Sequence, residues 1–471
     1  MEFMDRIKTM SREQAARAMV ELLTVVSPDT FLKMALLASR LIEGERAGSA
    51  VEAVRLSLLE GEDSQASRLF KRVMTDLSPH CLKKVANTLF INGLLKSSAL
   101  RRDFEAKNGF SPPFTILISP TMQCNLQCVG CYSGRYAPGK GLSRELIDRV
   151  LNEAKAMGIR FIVFSGGEPL TRKNDLFPLI ERHGDMYFMF YTNGTLIDDT
   201  VADKLYKVGN AGAVMSLEGF EEATDLRRGR GVYRQVMDAM DRLSERGVPF
   251  GTSLTVTSRN VEHLTSDEFF EHLYSKGVMI AWLFLFMPVG KDPDVSLMPS
   301  PEQREYLRRR GIALREKFPI FIADFWNDAP FVGGCIAGGT NYVHINANGD
   351  VEPCVFTHMA ADSIMNKSLT EVLNSEFFRM IRSKQPYSVN LLTPCMIIDN
   401  PDVFRDVSRR CCAYPTHDGA EDVFLKIRDD LDDYGRRLRA LYDPIWEREK
   451  AEYGYADSSG RTMNESRHAT P

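Results

Sequence analysis

The sequence predicts an α/β protein: a partial (β/α)6 TIM-like barrel, with an all-helical N-terminal domain before it and a small C-terminal cysteine-rich extension after it. Three observations carry that prediction. Apolar runs alternate with amphipathic helical segments from residue 111 onward, and the residues before 111 keep helical spacing throughout. Eight of the nine cysteines fall in two groups, one at 124–131 and one spread over 335–412. A chain of 471 residues also exceeds what one hydrophobic core organises, which fits several domains.

Residues 1–110 make the helical domain. "SREQAARAMVELLTVV" opens on a Ser11/Gln14 capping box, and "DTFLKMALLASRLIEG" and "HCLKKVANTLFINGLLKSSALRRDFEAKNG" continue the spacing, with Gly44 and Gly109 as helix stops. The apolar stripes, with Phe31, Met34, Leu36, Leu37, Leu41 and residues 90–95, are read as core packed on the barrel. Peripheral contact with a membrane is the alternative reading. Cys81 stands alone in this domain and reads as a small buried apolar residue.

Residues 111–300 make the barrel. Strand "FTILISP" (114–120) runs into the first cysteine group, and helix "SRELIDRVLNEAKAMG" (143–158) follows. Four more strand–helix units alternate through "RFIVFSGG" (160–167), "MYFMFYTNG" (186–194), "GAVMSLEG" (212–219) and "PFGTSLTVT" (249–257) to a last strand, "MIAWLFLFM" (279–287). Near-continuous apolar strands between amphipathic helices mean a parallel sheet covered by helices, and right-handed crossovers curl it into a barrel. The polar oddities all fall after strands, on the face where parallel α/β folds place their active sites.

Residues 301–420 open helical, pass through the extended "PIFIADFWND", and carry the second cysteine group. In "CIAGGTNYVHINANGDVEPC" (335–354), two alternating strands are joined by Asn348–Gly349, a two-residue turn signal. Residues 421–471 read as a charged helix and a polar, disordered tail.

A net charge of −4 offers no basic face for a nucleic acid. The uncharged run 278–290, at 13 residues, is too short to span a bilayer, and the start lacks the apolar core and cleavage site of a secretory signal. A cytoplasmic location, with peripheral membrane contact as its variant, is therefore expected. In a reducing compartment, clustered thiols argue for metal or cluster ligation rather than disulfides. Cys124, Cys128 and Cys131 form a Cys-x3-Cys-x2-Cys run with no fourth Cys or His nearby, whereas structural zinc takes four closed ligands. Three cysteines can hold a cubane iron–sulfur cluster with one iron left open.

With these cysteines after the first strand and "SGGEPL" (165–170) after the second, residues 114–290 resemble the radical S-adenosylmethionine (SAM) superfamily. The resemblance implies a [4Fe–4S] cluster on Cys124, Cys128 and Cys131, whose open iron takes the amino and carboxylate groups of SAM. One electron from a donor such as flavodoxin or ferredoxin then cleaves SAM, and the 5′-deoxyadenosyl radical takes hydrogen from an unactivated carbon. It also implies cofactor contacts at Gly166, Gly167, Glu168, Thr192, Asn193, Ser216 and Arg228, against bracing of the loop by Glu168, a solvated basic turn at Arg227 and Arg228, and ordinary turn or capping roles for the others. Gly130 stands where the family often has an aromatic, so Tyr132 is expected to cover the adenine.

The second cysteine group resembles the SPASM extension, or its shorter form twitch, which implies one auxiliary iron–sulfur cluster on Cys335, Cys354, Cys395 and Cys412, with Cys411 as the alternative fourth ligand. Structural zinc on the same residues is the competing reading. For the substrate, the helical N-terminus and neighbouring motifs resemble radical SAM proteins suspected of modifying membrane-lipid tails. The main expectation is thus C–H abstraction from a lipid alkyl chain. Modification of a peptide or protein by a radical SAM/SPASM maturase is the alternative, and a non-catalytic iron–sulfur protein the second.

Overall fold

A computed structural model describes residues 12–41, 61, 64–133, 136, 139, 141–291 and 293–455. Strands β1 (Thr115–Ile118), β2 (Phe161–Phe164), β3 (Tyr187–Thr192), β4 (Ala211–Leu217), β5 (Phe250–Val256) and β6 (Ile280–Leu285) run parallel in chain order with helices between them. The sheet extends past this prediction at both edges. β7 (Phe321–Asp324), from the segment read only as extended, adds parallel to β6. β8 (Tyr342–Ile345) adds parallel to β1 and carries β9 (Val351–Glu352) antiparallel outside it, for nine strands in the order β7-β6-β5-β4-β3-β2-β1-β8-β9. The hairpin of the cysteine-rich extension is thus part of the barrel sheet. Alternation identifies a strand but not its neighbour, and the backbone groups on the open edge of β1 select β8.

The β8–β9 connection differs from the two-residue turn. It runs from Asn346 to Asp350, with Asn346 Oδ1 accepting from the Asn348 and Asp350 amides at 2.9 and 3.1 Å. Gly349 supplies the left-handed step at φ 88°. An Asn side chain that bonds the backbone two residues on competes with the tighter turn and here wins.

Strand residues alternate between two surroundings. Ile116, Ile162, Phe164, Phe188 and Phe190 join the large core under the helices, while Val163, Met189 and Val214 cluster with Leu117, Tyr191 and Trp282 in the barrel lumen. The N-terminal helices close the end of the barrel where the strands begin. The Arg72 guanidinium, on the helix Gln65–Asp76, donates to the carbonyls of Val278 and Tyr274 at 2.9 and 3.1 Å. The Ser78 amide donates to Gly247 O at 3.0 Å, and Asn92 Nδ2 to Asp185 O at 3.2 Å. Every one of these acceptors lies on the chain leading into a strand.

The described part of the apolar stripe is mostly core, with Phe90 the exception. Phe31 is buried against Phe70, Leu82 and Ile91 pack with Met279 of the barrel, and Phe90 is exposed. The side chains of Leu36, Leu37 and Leu41 lie outside the described residues. The C-terminal helix Arg428–Glu449 buries Leu431, Leu438, Tyr442 and Trp446 on one face, and residues 456–471 lie outside the described residues. Among the described residues, no helix is long and apolar enough to cross a membrane.

Candidate functional site

The first cysteine group forms the loop after β1, and the end of β2 holds it. The Gly167 amide donates to Thr121 O at 3.0 Å and the Glu168 amide to Gln123 O at 2.8 Å. This approach requires the glycines. A Cβ on Gly166 would stand 2.3 Å from Thr121 O, and one on Gly167 2.3 Å from Gln123 O. We expect Gly167→Ala to displace the loop and lower the iron that reconstitution places at the first cysteine group while sparing that at the second. Iron assay with electron paramagnetic resonance reads the difference, and unchanged spectra would count against the loop's dependence on this approach.

Glu168 is a brace. Its buried carboxylate accepts from Leu170 N (2.9 Å), Thr192 Oγ1 (2.8 Å) and Asn193 N (2.7 Å), joining the ends of β2 and β3. Burial raises its pKa against the lowering effect of these bonds. Asn193 extends the brace through Nδ2, which donates to Asn125 Oδ1 at 2.9 Å and to Cys124 Sγ at 3.7 Å. Glu168, Thr192 and Asn193, expected at the cofactor, thus also hold the cysteine loop.

On the opposite flank, Arg227 and Arg228 both bond Glu218 Oε1, Arg227 at 2.5 Å and Arg228 at 2.7 Å. Arg227 also donates to the carbonyls of Val129 and Gly130. Arg228 lies within electrostatic reach of Cys128, where it opposes the rise that burial gives that thiol. Glu218 Oε2 is buried and has no partner among the described residues. Ser216, at the end of β4, faces the lumen with partial exposure. Gly130 packs under Phe286, whose Cε2 would stand 2.6 Å from a Cβ there, so an aromatic side chain has no room. Tyr132 turns inward instead, with its hydroxyl 2.9 Å from Ser165 Oγ and its ring edge-on to Phe356.

Burial raises the Cys124 and Cys128 thiols, Cys124 to about 11, and the neighbouring thiols of the loop add to the rise. Three soft sulfur donors of this kind, with an arginine beside them, fit iron–sulfur ligation, in which the metal supplies the charge that ionises the thiols. The unpartnered Glu218 Oε2 fits an acceptor for the hydroxyl or ammonium groups of a bound cofactor.

The second group converges on one cavity lined by Cys335, Cys354 and Cys395 with Phe325, Trp326 and Phe356. Burial raises all three thiols, Cys395 to about 11 and Cys354 to about 12. Cys412 does not reach this cavity. It lies exposed past the far end of the helix Pro401–Arg410, and Cys411 contacts Met380 Sδ at 3.8 Å. A ten-residue helix separates them from the Cys395 loop, a distance of about 15 Å that spacing in sequence does not convey.

Several residues at this site carry no motif. Arg304, fully buried, bonds both oxygens of Asp399 at 2.6 and 3.2 Å, and Asp399 Oδ2 accepts from the Cys395 amide at 2.9 Å. Asp399, four residues after Cys395, was legible as a loop cap, whereas Arg304 sits in a helix rich in charge. His358, at φ 48°, donates from Nε2 to Tyr132 O at 2.8 Å and so ties the extension to the cysteine loop. Nearby, burial raises Glu352, but His344, bonded at 2.6 Å, reverses this and holds it at about 2.

Burial also lowers His358 to about 4. An unfolded His takes its proton near pH 6.5, so the folded protein loses stability as the pH falls from 6.5 toward 4. Denaturant titrations across this range should show a fall that His358→Gln reduces; an equal fall in the variant would assign the effect to other groups.

Residues 118–268 match the radical SAM superfamily, and residues 335–396 match the SPASM iron-sulfur cluster-binding domain. The chain is a radical SAM enzyme with a SPASM extension. Its radical SAM domain is similar to an AdoMet-dependent heme synthase of Methanosarcina barkeri, 28% identical over 56% of this chain and 83% of the relative. It is also similar to a PqqA peptide cyclase of Gluconobacter oxydans, 26% identical over 58% of this chain and 80% of the relative. The fold is shared with Streptococcus suis SuiB bound to S-adenosylmethionine, at a TM-score of 0.52 and 19% identity over 64% of this chain and 76% of that one. A [4Fe–4S] cluster, SAM and auxiliary iron–sulfur ligation are the cofactors these domains imply.

Proposed function

We propose that this radical SAM/SPASM enzyme is a maturase that modifies a peptide or protein side chain at the barrel mouth. In this reading Cys124, Cys128 and Cys131 hold the cluster that binds SAM, and Cys335, Cys354 and Cys395 hold the auxiliary centre. When bound, the cluster and SAM supply hydrogen abstraction from an unactivated C–H bond. The protein's part is to position and to shield. Arg227 and the Glu168 brace fix the cysteine loop, and the packed lumen closes the barrel beneath it.

The observation that carries the reading is the placement of the two cysteine groups on one mouth, bridged by ring contacts. Tyr132, next to Cys131, packs against Phe356 at 5.3 Å between centroids, and Phe356 against Trp326 of the auxiliary cavity at 5.9 Å. A substrate held there lies beside both centres, as a reaction that passes an electron to or from it requires.

The substrate class is supported by the peptide cyclase relatives and by the lining of the mouth. Tyr191, Ser216, Thr255 and Phe284 end their strands facing the lumen, a mixed hydroxyl and aromatic surface suited to a side chain. The amphipathic N-terminal helices that motivated the lipid reading pack at the opposite end of the barrel. The test is anaerobic reconstitution with SAM and a reductant, followed by mass spectrometry of three mixtures: host peptides and proteins, tetrapyrroles, and membrane lipids. A modified peptide or protein formed together with 5′-deoxyadenosine is expected. A modified lipid or tetrapyrrole in its place overturns the proposal.

A further inference from the structure

Two large side chains with polar tips, Tyr342 and Trp326, stand at the auxiliary thiols. Tyr342, on β8 and buried, places its hydroxyl 2.7 Å from Cys354 Sγ. The same hydroxyl accepts from the Val355 amide at 3.3 Å, which leaves its proton for the sulfur. The buried Trp326 indole lines the same cavity as Cys395 and lowers that thiol's pKa against the rise that burial gives it, and the sulfur accepts from the Ile397 amide at 3.4 Å. Packing alone does not explain these choices, because Phe fills comparable space. A buried hydroxyl is costly without a partner, and the Tyr342 hydroxyl has a sulfur partner.

We infer that Tyr342 and Trp326 are positioning residues that raise the reduction potential of the auxiliary centre. The inference rests on the proposed assignment of Cys335, Cys354 and Cys395 as that centre's ligands. Reduction adds one negative charge spread over the sulfurs, and hydrogen bonds to sulfur stabilise the more negative form. Trp326 is also the inner end of the ring contacts that run through Phe356 to Tyr132.

The test uses the full chain with Cys124, Cys128 and Cys131 replaced by Ala, so that the auxiliary centre binds the remaining iron. Its midpoint is measured by redox titration followed by electron paramagnetic resonance, alone and with Y342F or W326F added. Each addition is expected to keep the iron and to lower the reduced-to-oxidised ratio at fixed potential about tenfold, or 59 mV for one electron. Unchanged midpoints with iron retained overturn the inference. If Y342F loses its iron, W326F decides by the same criterion. Replacing Cys335, Cys354 and Cys395 by Ala in the same background should remove the iron; iron that stays overturns the ligand assignment. Neither readout depends on SAM cleavage or on the identity of the substrate.

Discussion

Replacing Cys124, Cys128 and Cys131 together by Ala is expected to abolish reductive SAM cleavage, with 5′-deoxyadenosine falling to the level formed without enzyme. The reconstituted iron should fall to roughly half, since the proposed assignment gives the chain two cluster sites and the variant keeps one. The effect is all-or-none. The three thiols come from a single loop, and neither Arg228 nor Glu218 can replace a soft sulfur donor to iron. The fold should persist, since the loop is held by backbone bonds from Gly167 and Glu168 that the substitutions leave in place. Chromatography of the reaction together with iron counting checks both parts. Cleavage that survives in the variant would move the SAM site elsewhere on the chain.

Asp399→Ala is expected to be the most destabilising single substitution near the auxiliary cavity. Arg304 and Asp399 are both completely buried, and removing the carboxylate leaves a guanidinium without its counter-charge. Breaking a buried pair in this way costs about 3–5 kcal/mol. The loss also frees the Cys395 amide, so the auxiliary iron should fall with stability. The double variant Arg304→Met/Asp399→Leu removes both charges and should recover most of the stability, because well-packed apolar residues often replace a buried pair at little cost. It does not restore the acceptor for the Cys395 amide, so its auxiliary iron should remain low. Denaturant unfolding and iron assay on both variants separate the two effects. Equal destabilisation of the single and double variants would show that the unpaired charge is not the cause.

Much of the site was legible in sequence because its chemistry is local. Cys124, Cys128 and Cys131 share one loop, and "SGGEPL" carries its own backbone requirement in Gly166 and Gly167. What escaped was the partner of each side chain. Glu168 was read as a cofactor contact or a brace, but its partners Thr192 and Asn193 lie past a neighbouring strand whose adjacency is a matter of sheet pairing. Cys412 has the residue type of a ligand, but a helix carries it away from the cavity. Arg304 lies 95 residues from Asp399, a separation at which no spacing rule operates.

The sequence by itself determined the alternation of strands and helices, the cysteine loop with its companion glycines, and the clustering of eight cysteines in two groups. These follow from periodicity and spacing, which act over a few residues. The tertiary structure alone decided that the extension's hairpin joins the barrel edge and that the N-terminal helices close the end away from the mouth. It also decided that Cys335, Cys354 and Cys395 share a cavity bridged by rings to Tyr132. Such outcomes depend on which exposed edge and which apolar face find each other, and that is settled by packing over the whole chain.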